Sequence, residues 1–290
     1  PCLRTLVEAR AWRDDWEGAS EDADHLLRLA EPGSAPWIQA MATRQSAALH
    51  LGRTDEMLSS LPSLATIDPT SDTLRTLVPA LAISVLVLAF AEQLDAAAAV
   101  LARIESLVAR GGSGKAIDPA PISLARSWIA AWHRGDARAA LEHARLARAQ
   151  SDEAHDAQHA RFARIFVGTS LWDLGALAGA EEELRAASAG GGDDLVTALA
   201  SLFLAALLIE RGLLREAAAM AEHRLARARS RAPGQGGLRE AEARWLLGEI
   251  AFRRGDLEAA ESELSRSVEG MGGASGSIFA EGIVQRAWGL

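Results

Sequence analysis

The 290-residue sequence contains no tyrosine and only one cysteine, Cys2. A single thiol cannot form an internal disulfide, so the chain is expected to be intracellular, in the cytoplasm. Lysine is almost absent: Lys115 stands alone, and the cations are otherwise arginines. No apolar run approaches the roughly 18–20 residues of a membrane span. The longest, from Leu81 to Ala91, is interrupted by Ser84 and reads as a buried helix. No signal-peptide pattern opens the chain. It starts on Pro1 rather than Met, which suggests a piece of a larger protein. Alternating Val/Ile/Thr strand patterns with Asn-Gly turns are missing. Excess positive charge is missing too: 30 Lys+Arg against 39 Asp+Glu leave a net charge of −9. That balance argues against direct nucleic-acid binding, which needs clustered cations.

What is abundant is helix-forming alanine, as in the run from Asp95 to Ala102, which favours an all-α fold. The sequence also repeats. Three stretches share a pattern of small and large residues: Val167-Gly168, Leu171, Gly175, Ala180, Leu184; then Leu204-Ala205, Leu208, Gly212, Ala217; and Leu247-Gly248, Ala251, Gly255-Asp256, Ala260, Leu264. Taking the residue between paired helices as an anchor gives Gly18, Gly52, Gln93, Gly135, Gly175, Gly212 and Gly255, spaced by 34, 41, 42, 40, 37 and 43 residues. Glycine there supplies the left-handed backbone that ends the first helix. Small residues at Gly168, Ala205 and Gly248, facing Ala180, Ala217 and Ala260, allow close helix approach, with leucines filling the seam. One such hairpin cannot bury its apolar face alone, so neighbours must stack.

The pattern resembles the tetratricopeptide repeat, most closely in the last three units. In earlier units Gln93 replaces glycine and Met57 replaces alanine. Most units run near 40 residues rather than 34. With the stretch from Gly255 to Leu264, that longer period looks like the sensor region of MalT-type activators. Those are large ATP-dependent transcriptional regulators that end in a LuxR-like helix-turn-helix. The resemblance implies a single domain over 1–290, a right-handed superhelical solenoid of about seven hairpins plus a C-terminal capping helix near 277–289. The expected helix pairs are 2–16/19–31, 35–51/54–62, 75–92/95–111, 119–134/137–150, 153–174/177–188, 193–211/214–231 and 237–254/257–269.

No complete catalytic or metal motif emerges. Gly111 to Lys115 resembles half a phosphate loop, but Ala109 and Ala116 stand where the motif needs Gly and Ser or Thr. His155 and His159 lie one helical turn apart, with His143 on the preceding helix, but no full ligand set accompanies them. No Gly-x-Ser-x-Gly elbow is present. The acids Glu181–Glu182–Glu183 and Asp193–Asp194 read as solvated helix starts. A binding protein without catalytic activity, cofactor or metal is expected.

The aromatics carry the functional reading. Counting four residues on from each seam position gives Phe90, Trp132, Trp172, Ile209 and Phe252; the next residues include His133, Asp173, Glu210 and Arg253. Trp245 falls between this stripe and the seam, and Trp128 on the seam itself. Large rings beside sparse polar groups suit a small-molecule pocket. Four such rings could expose roughly 600–1000 Å², more than the about 300–600 Å² of a typical largest apolar patch. Inter-repeat packing, a ligand, or a partner must therefore cover them. The candidate ligand-binding set is Phe90, Trp132, His133, Trp172, Asp173, Glu210, Trp245, Phe252 and Arg253. The resemblance implies an inducer or a protein or peptide partner on the concave face, with self-association as another way to cover it. A scaffold that holds only protein partners is the competing reading.

Overall fold

The computed structural model describes residues 2–70, 72–91, 93–110, 118–190, 194–230 and 237–270, without the side chains of Thr54 and Phe90. The helix anticipated near 277–289 and the loop from 111 to 117 lie outside the described residues. Among the described residues, fourteen α-helices form seven antiparallel pairs: α1 (Cys2–Trp12) with α2 (Trp16–Leu29), α3 (Ala35–His50) with α4 (Thr54–Ala65), α5 (Leu74–Phe90) with α6 (Leu94–Arg110), α7 (Ala120–Trp128) with α8 (Ala137–Glu153), α9 (Ala157–Asp173) with α10 (Leu177–Ser188), α11 (Leu195–Glu210) with α12 (Leu214–Ser230), and α13 (Gly237–Arg254) with α14 (Leu257–Gly270). Helices adjacent in sequence pack together, and each first helix also packs on the first helix of the next pair. The result is a helical-repeat solenoid with the odd-numbered helices as its inner layer. One buried core runs through it from Ile38 to Ile250.

The turn chemistry explains the spacing. At Gly175 (φ 75°) the glycine N–H donates to Trp172 O at 2.8 Å and the next N–H, of Ala176, reaches back to Leu171 O at 2.8 Å. This pair of bonds closes the open carbonyls of the helix end. Aspartates cap the helices that follow several turns: Asp15, Asp136, Asp156, Asp194 and Asp256 each accept from a backbone N–H three residues on.

Two anchors need correction. Gly18 is not the first turn residue; it lies inside α2, and Asp14 (φ 59°) takes the left-handed position. Gln93 is one residue past its turn, because its N–H donates to Leu88 O just as Ala176 donates to Leu171 O. The fourth pair hides another shift. Residues Ile129–His133 form a π turn, and Asp136 N–H reaches six residues back, to Ala130 O, rather than five. One extra residue thus separates the seam from Gly135. The seam residue is Ser127, whose hydroxyl donates to Ala140 O at 2.9 Å, and not Trp128.

The small seam residues are under steric compulsion. A Cβ at Gly168 would lie 2.8 Å from Leu184 Cγ, and one at Gly248 would lie 2.6 Å from Leu264 Cγ. A buried polar contact joins two successive first helices in the earlier, less regular part: Ser84 of α5 donates to Oε1 of Gln45 of α3 at 2.8 Å. The acids of α10 are also more than solvated helix starts. Glu183 pairs with Arg148 of α8 and Arg164 of α9, and Glu181 pairs with Arg211 at the end of α11, tying neighbouring hairpins together.

Gly248→Val is therefore expected to lower stability by about 1–3 kcal/mol through overpacking. In a double-mutant cycle by chemical denaturation, Leu264→Ala added to Gly248→Val should cost less than the two single losses summed.

Candidate functional site

The solenoid curls until its first pair meets its last ones. Helix α1 touches α11, and Trp12 lies edge-on to Phe162 of α9, with ring centroids 6.4 Å apart. Phe162 continues the ring contacts to Trp128 and Phe166. Polar contacts close the same junction. The carboxylate of buried Asp14 accepts from Trp16 Nε1 at 2.7 Å and from Arg239 Nη2 at 3.1 Å, 225 residues away. Arg239 also donates to both oxygens of Glu242 at 3.1 Å, and Arg224 donates to Glu242 at 2.8 Å. His50 stacks on Trp16 at 4.1 Å, and its Nδ1 is 3.3 Å from Arg239.

The electrostatics of this cluster follow from burial. Burial alone would lower the Arg239 pKa, but the Asp14 and Glu242 carboxylates outweigh it and leave the guanidinium above its ordinary value. Arg224, for which burial dominates, is pushed down to about 10 and stays charged at neutral pH.

The curl leaves a partly open interior cavity of about 480 Å³. All seven first helices contribute to it, and its walls are mostly apolar, with Trp16, Ile83, Trp128, Phe162, Leu199 and Phe203 among them. Its polar residues include Arg4, Glu8, His50, Arg75 and His159, besides Arg239 and Glu242 of the closure cluster. A smaller side cavity of about 210 Å³ adjoins it; Trp128, Phe166 and Phe203 line both.

The stripe drawn from sequence is only partly gathered here. Trp132, Trp172 and Asp173 line the side cavity, and Trp172 Nε1 donates to Glu210 at 2.6 Å. His133 instead faces Asp95 of α6, with Nε2 3.9 Å from Oδ1. Phe252 and Arg253 are exposed, Trp245 packs against the main core, and none of them lines either cavity. The side chain of Phe90 is outside the described residues. His155 occupies a left-handed turn (φ 56°), while His159 bonds Asp156 at 2.7 Å and meets Trp12 edge-on. These two histidines serve a helix start and a ring contact rather than one shared site.

Sequence reasoning missed the rings that line the interior cavity. Phe166 and Phe203 stand two residues before the seam positions Gly168 and Ala205, and Phe162 stands six before Gly168, an offset the repeat itself could have supplied. The contribution of Trp12, Trp16 and Arg239 depends on closure, which leaves no local signature.

Comparison with known proteins finds likeness in fold alone. No protein-family model matches the sequence, and no curated protein does. The crystal structure of NprR in complex with its cognate peptide NprX aligns with a TM-score of 0.62 at 9% identity, over 99% of this chain and 82% of that one. BtubC (BKLC) from P. vanneervenii aligns with a TM-score of 0.52 at 16% identity, over 82% of this chain and 92% of that one.

Two outcomes are expected from this geometry. Asp14→Ala leaves Arg239 short of a carboxylate and should cost about 3 kcal/mol in denaturant titrations, the low end for a broken buried pair because Glu242 remains. Asp173 has its carboxyl raised by burial above 3.8. The folded state then holds the Asp173 proton more tightly than the unfolded one, so stability is lost as pH rises from 3.8 through the raised value. Asp173→Asn should thus raise the thermal midpoint at neutral pH and leave it unchanged in acid below that window. The taken-together reading of all these contacts is a tetratricopeptide-like solenoid closed around an apolar interior.

Proposed function

We propose that this chain is the effector-sensing region of a MalT-type, LuxR-family transcriptional regulator, with a small, largely apolar inducer seated in the interior cavity. The observation that carries the reading is that cavity: about 480 Å³, walled by every first helix of the solenoid. Its volume falls in the roughly 300–1000 Å³ band of small-molecule sites, whose walls are likewise predominantly apolar. Residues 1–290 then act as one unit, because an occupant of the cavity touches both ends of the solenoid at once. The role is binding rather than catalysis, in the cytoplasm, with no cofactor in this region. ATP hydrolysis and DNA contact belong to other modules of such a regulator.

A peptide or protein segment is the second reading, favoured by the fold likeness to NprR, which was crystallised with its cognate peptide. An extended peptide needs an open concave groove along the inner layer. The ring contacts from α1 to α9 and the ion cluster from the α1–α2 turn to α13 bridge that space. The small inducer is therefore the better fit to the closed form, and a peptide would require the closure to open.

Titration with the apolar dye Nile red tests the small-inducer reading. Ser46 and Thr43 are half-buried in the cavity wall. Ser46→Phe and Thr43→Phe should each weaken dye binding about tenfold or more, corresponding to about 1.4 kcal/mol, with the thermal midpoint held or raised. Unchanged dye affinity in both variants would place the ligand seat elsewhere.

A further inference from the structure

The side cavity has a chemistry of its own. It lies where the π turn Ile129–His133 and the C-terminal end of α9 come together, and its walls carry the rings of Trp128, Trp132, Phe166, Trp172 and Phe203. Among the described residues, no arginine, lysine or histidine lines it. The ionisable group in its wall is Asp173, at the solvent-facing rim, whose carboxylate has no cation or hydrogen-bond donor beside it among the described residues. A second carboxylate, Glu210, is held against the indole N–H of Trp172 and fixes that ring.

Three further features bear on what the cavity would hold. The hydroxyls of Ser127 and Thr169 are turned to the backbone, donating to Ala140 O and Phe166 O. The carbonyl ends of helices carry partial negative charge, and the cavity sits at two such ends. The π turn moves Trp132 one position relative to the repeat, and π turns inside helices occur often at functional sites. An aromatic lining with a nearby carboxylate attracts cations through the ring faces, and most strongly those with weakly hydrated, alkylated heads. In addition, the indole N–H of Trp128, buried in the wall shared by the two cavities, has no acceptor among the described residues. A ligand hydroxyl would supply one.

We propose that the side cavity is a binding site for an alkylated ammonium group, held by the rings of Trp132 and Trp172 with Asp173 as its counter-ion. The site is separate from the inducer seat in the interior cavity and stands or falls independently of it. Its volume of about 210 Å³ suits a small headgroup rather than a large molecule.

The test uses choline as the probe and its uncharged carbon isostere, dimethylbutanol, as the control, with tryptophan fluorescence and calorimetry on the whole chain. Choline should bind saturably, and the isostere about tenfold more weakly or worse, the scale of a desolvated cation–ring contact. Asp173→Asn and Trp172→Ala should each weaken choline about fivefold or more, whereas Trp172→Phe should retain most of the affinity. Nile red binding should be unchanged in all three variants. Circular dichroism checks folding; should Trp172→Ala not fold, the rim variant Asp173→Asn carries the test. The proposal is overturned by absence of choline binding, by equal affinity for the isostere, or by unchanged affinity in folded Asp173→Asn.

Discussion

The salt bridge between Asp14 and Arg239 is the constraint on which the interior depends. Helical hairpins stacked only on their neighbours form an open coil, because every contact is local in sequence. Here one carboxylate in the first turn of the chain is buried against a guanidinium in the last pair of helices. Neither charge can be left alone in that position: a buried pair is a modest net stabiliser, but an unpaired member is costly. The cluster therefore works mainly as a specificity device. It makes one curvature of the solenoid compatible with satisfied charges, and Trp12, Phe162 and Trp128 fill the space that this curvature creates.

The same closure converts an inner face into a cavity. Rings on α9 and α11 would otherwise line an open groove. Once α1 lies across them they become walls, and Trp128, Phe166 and Phe203 divide the interior into a larger apolar space and a smaller one with a carboxylate at its rim. Two compartments of different polarity thus arise from a single repeated helix pair, distinguished by one inserted residue in the π turn and by which partner pair faces each wall.

The hairpins were legible in the sequence because their determinants are local. A small residue seven positions before a turn glycine, with an alanine opposite, specifies close approach whatever surrounds it, and Gly168 against Ala180 and Leu184 shows why. The site was legible only in part. Trp132, Trp172, Asp173 and Glu210 do converge, but the stripe through them lost register wherever the turn was irregular: Gln93 is one residue past its turn, and the π turn adds a residue before Gly135. Phe252 and Arg253 follow the offset faithfully and still face solvent, since the last pair has no further described first helix beside it. The interior cavity was not legible. Its existence rests on contacts between residues 225 apart, such as Asp14 and Arg239, and no periodicity encodes them.

On the proposed sensing role, the placement of the closure cluster sets how far an occupant could act. Arg239 and Glu242 line the interior cavity as well as holding the first pair, so an inducer seated there meets the groups that decide whether the solenoid is closed. A ligand moves an equilibrium only by its difference in affinity for the two states. Shifting closed against open from 1:99 to 99:1 needs about 5.5 kcal/mol of such difference, while breaking one buried ion pair costs about 3–5 kcal/mol. The two quantities are of the same order. A cavity walled by both the first and the last described pairs is complete only in the closed state, so contacts to those walls are differential. A pocket confined to one hairpin would bind both states alike and transmit nothing, however tightly it held its ligand.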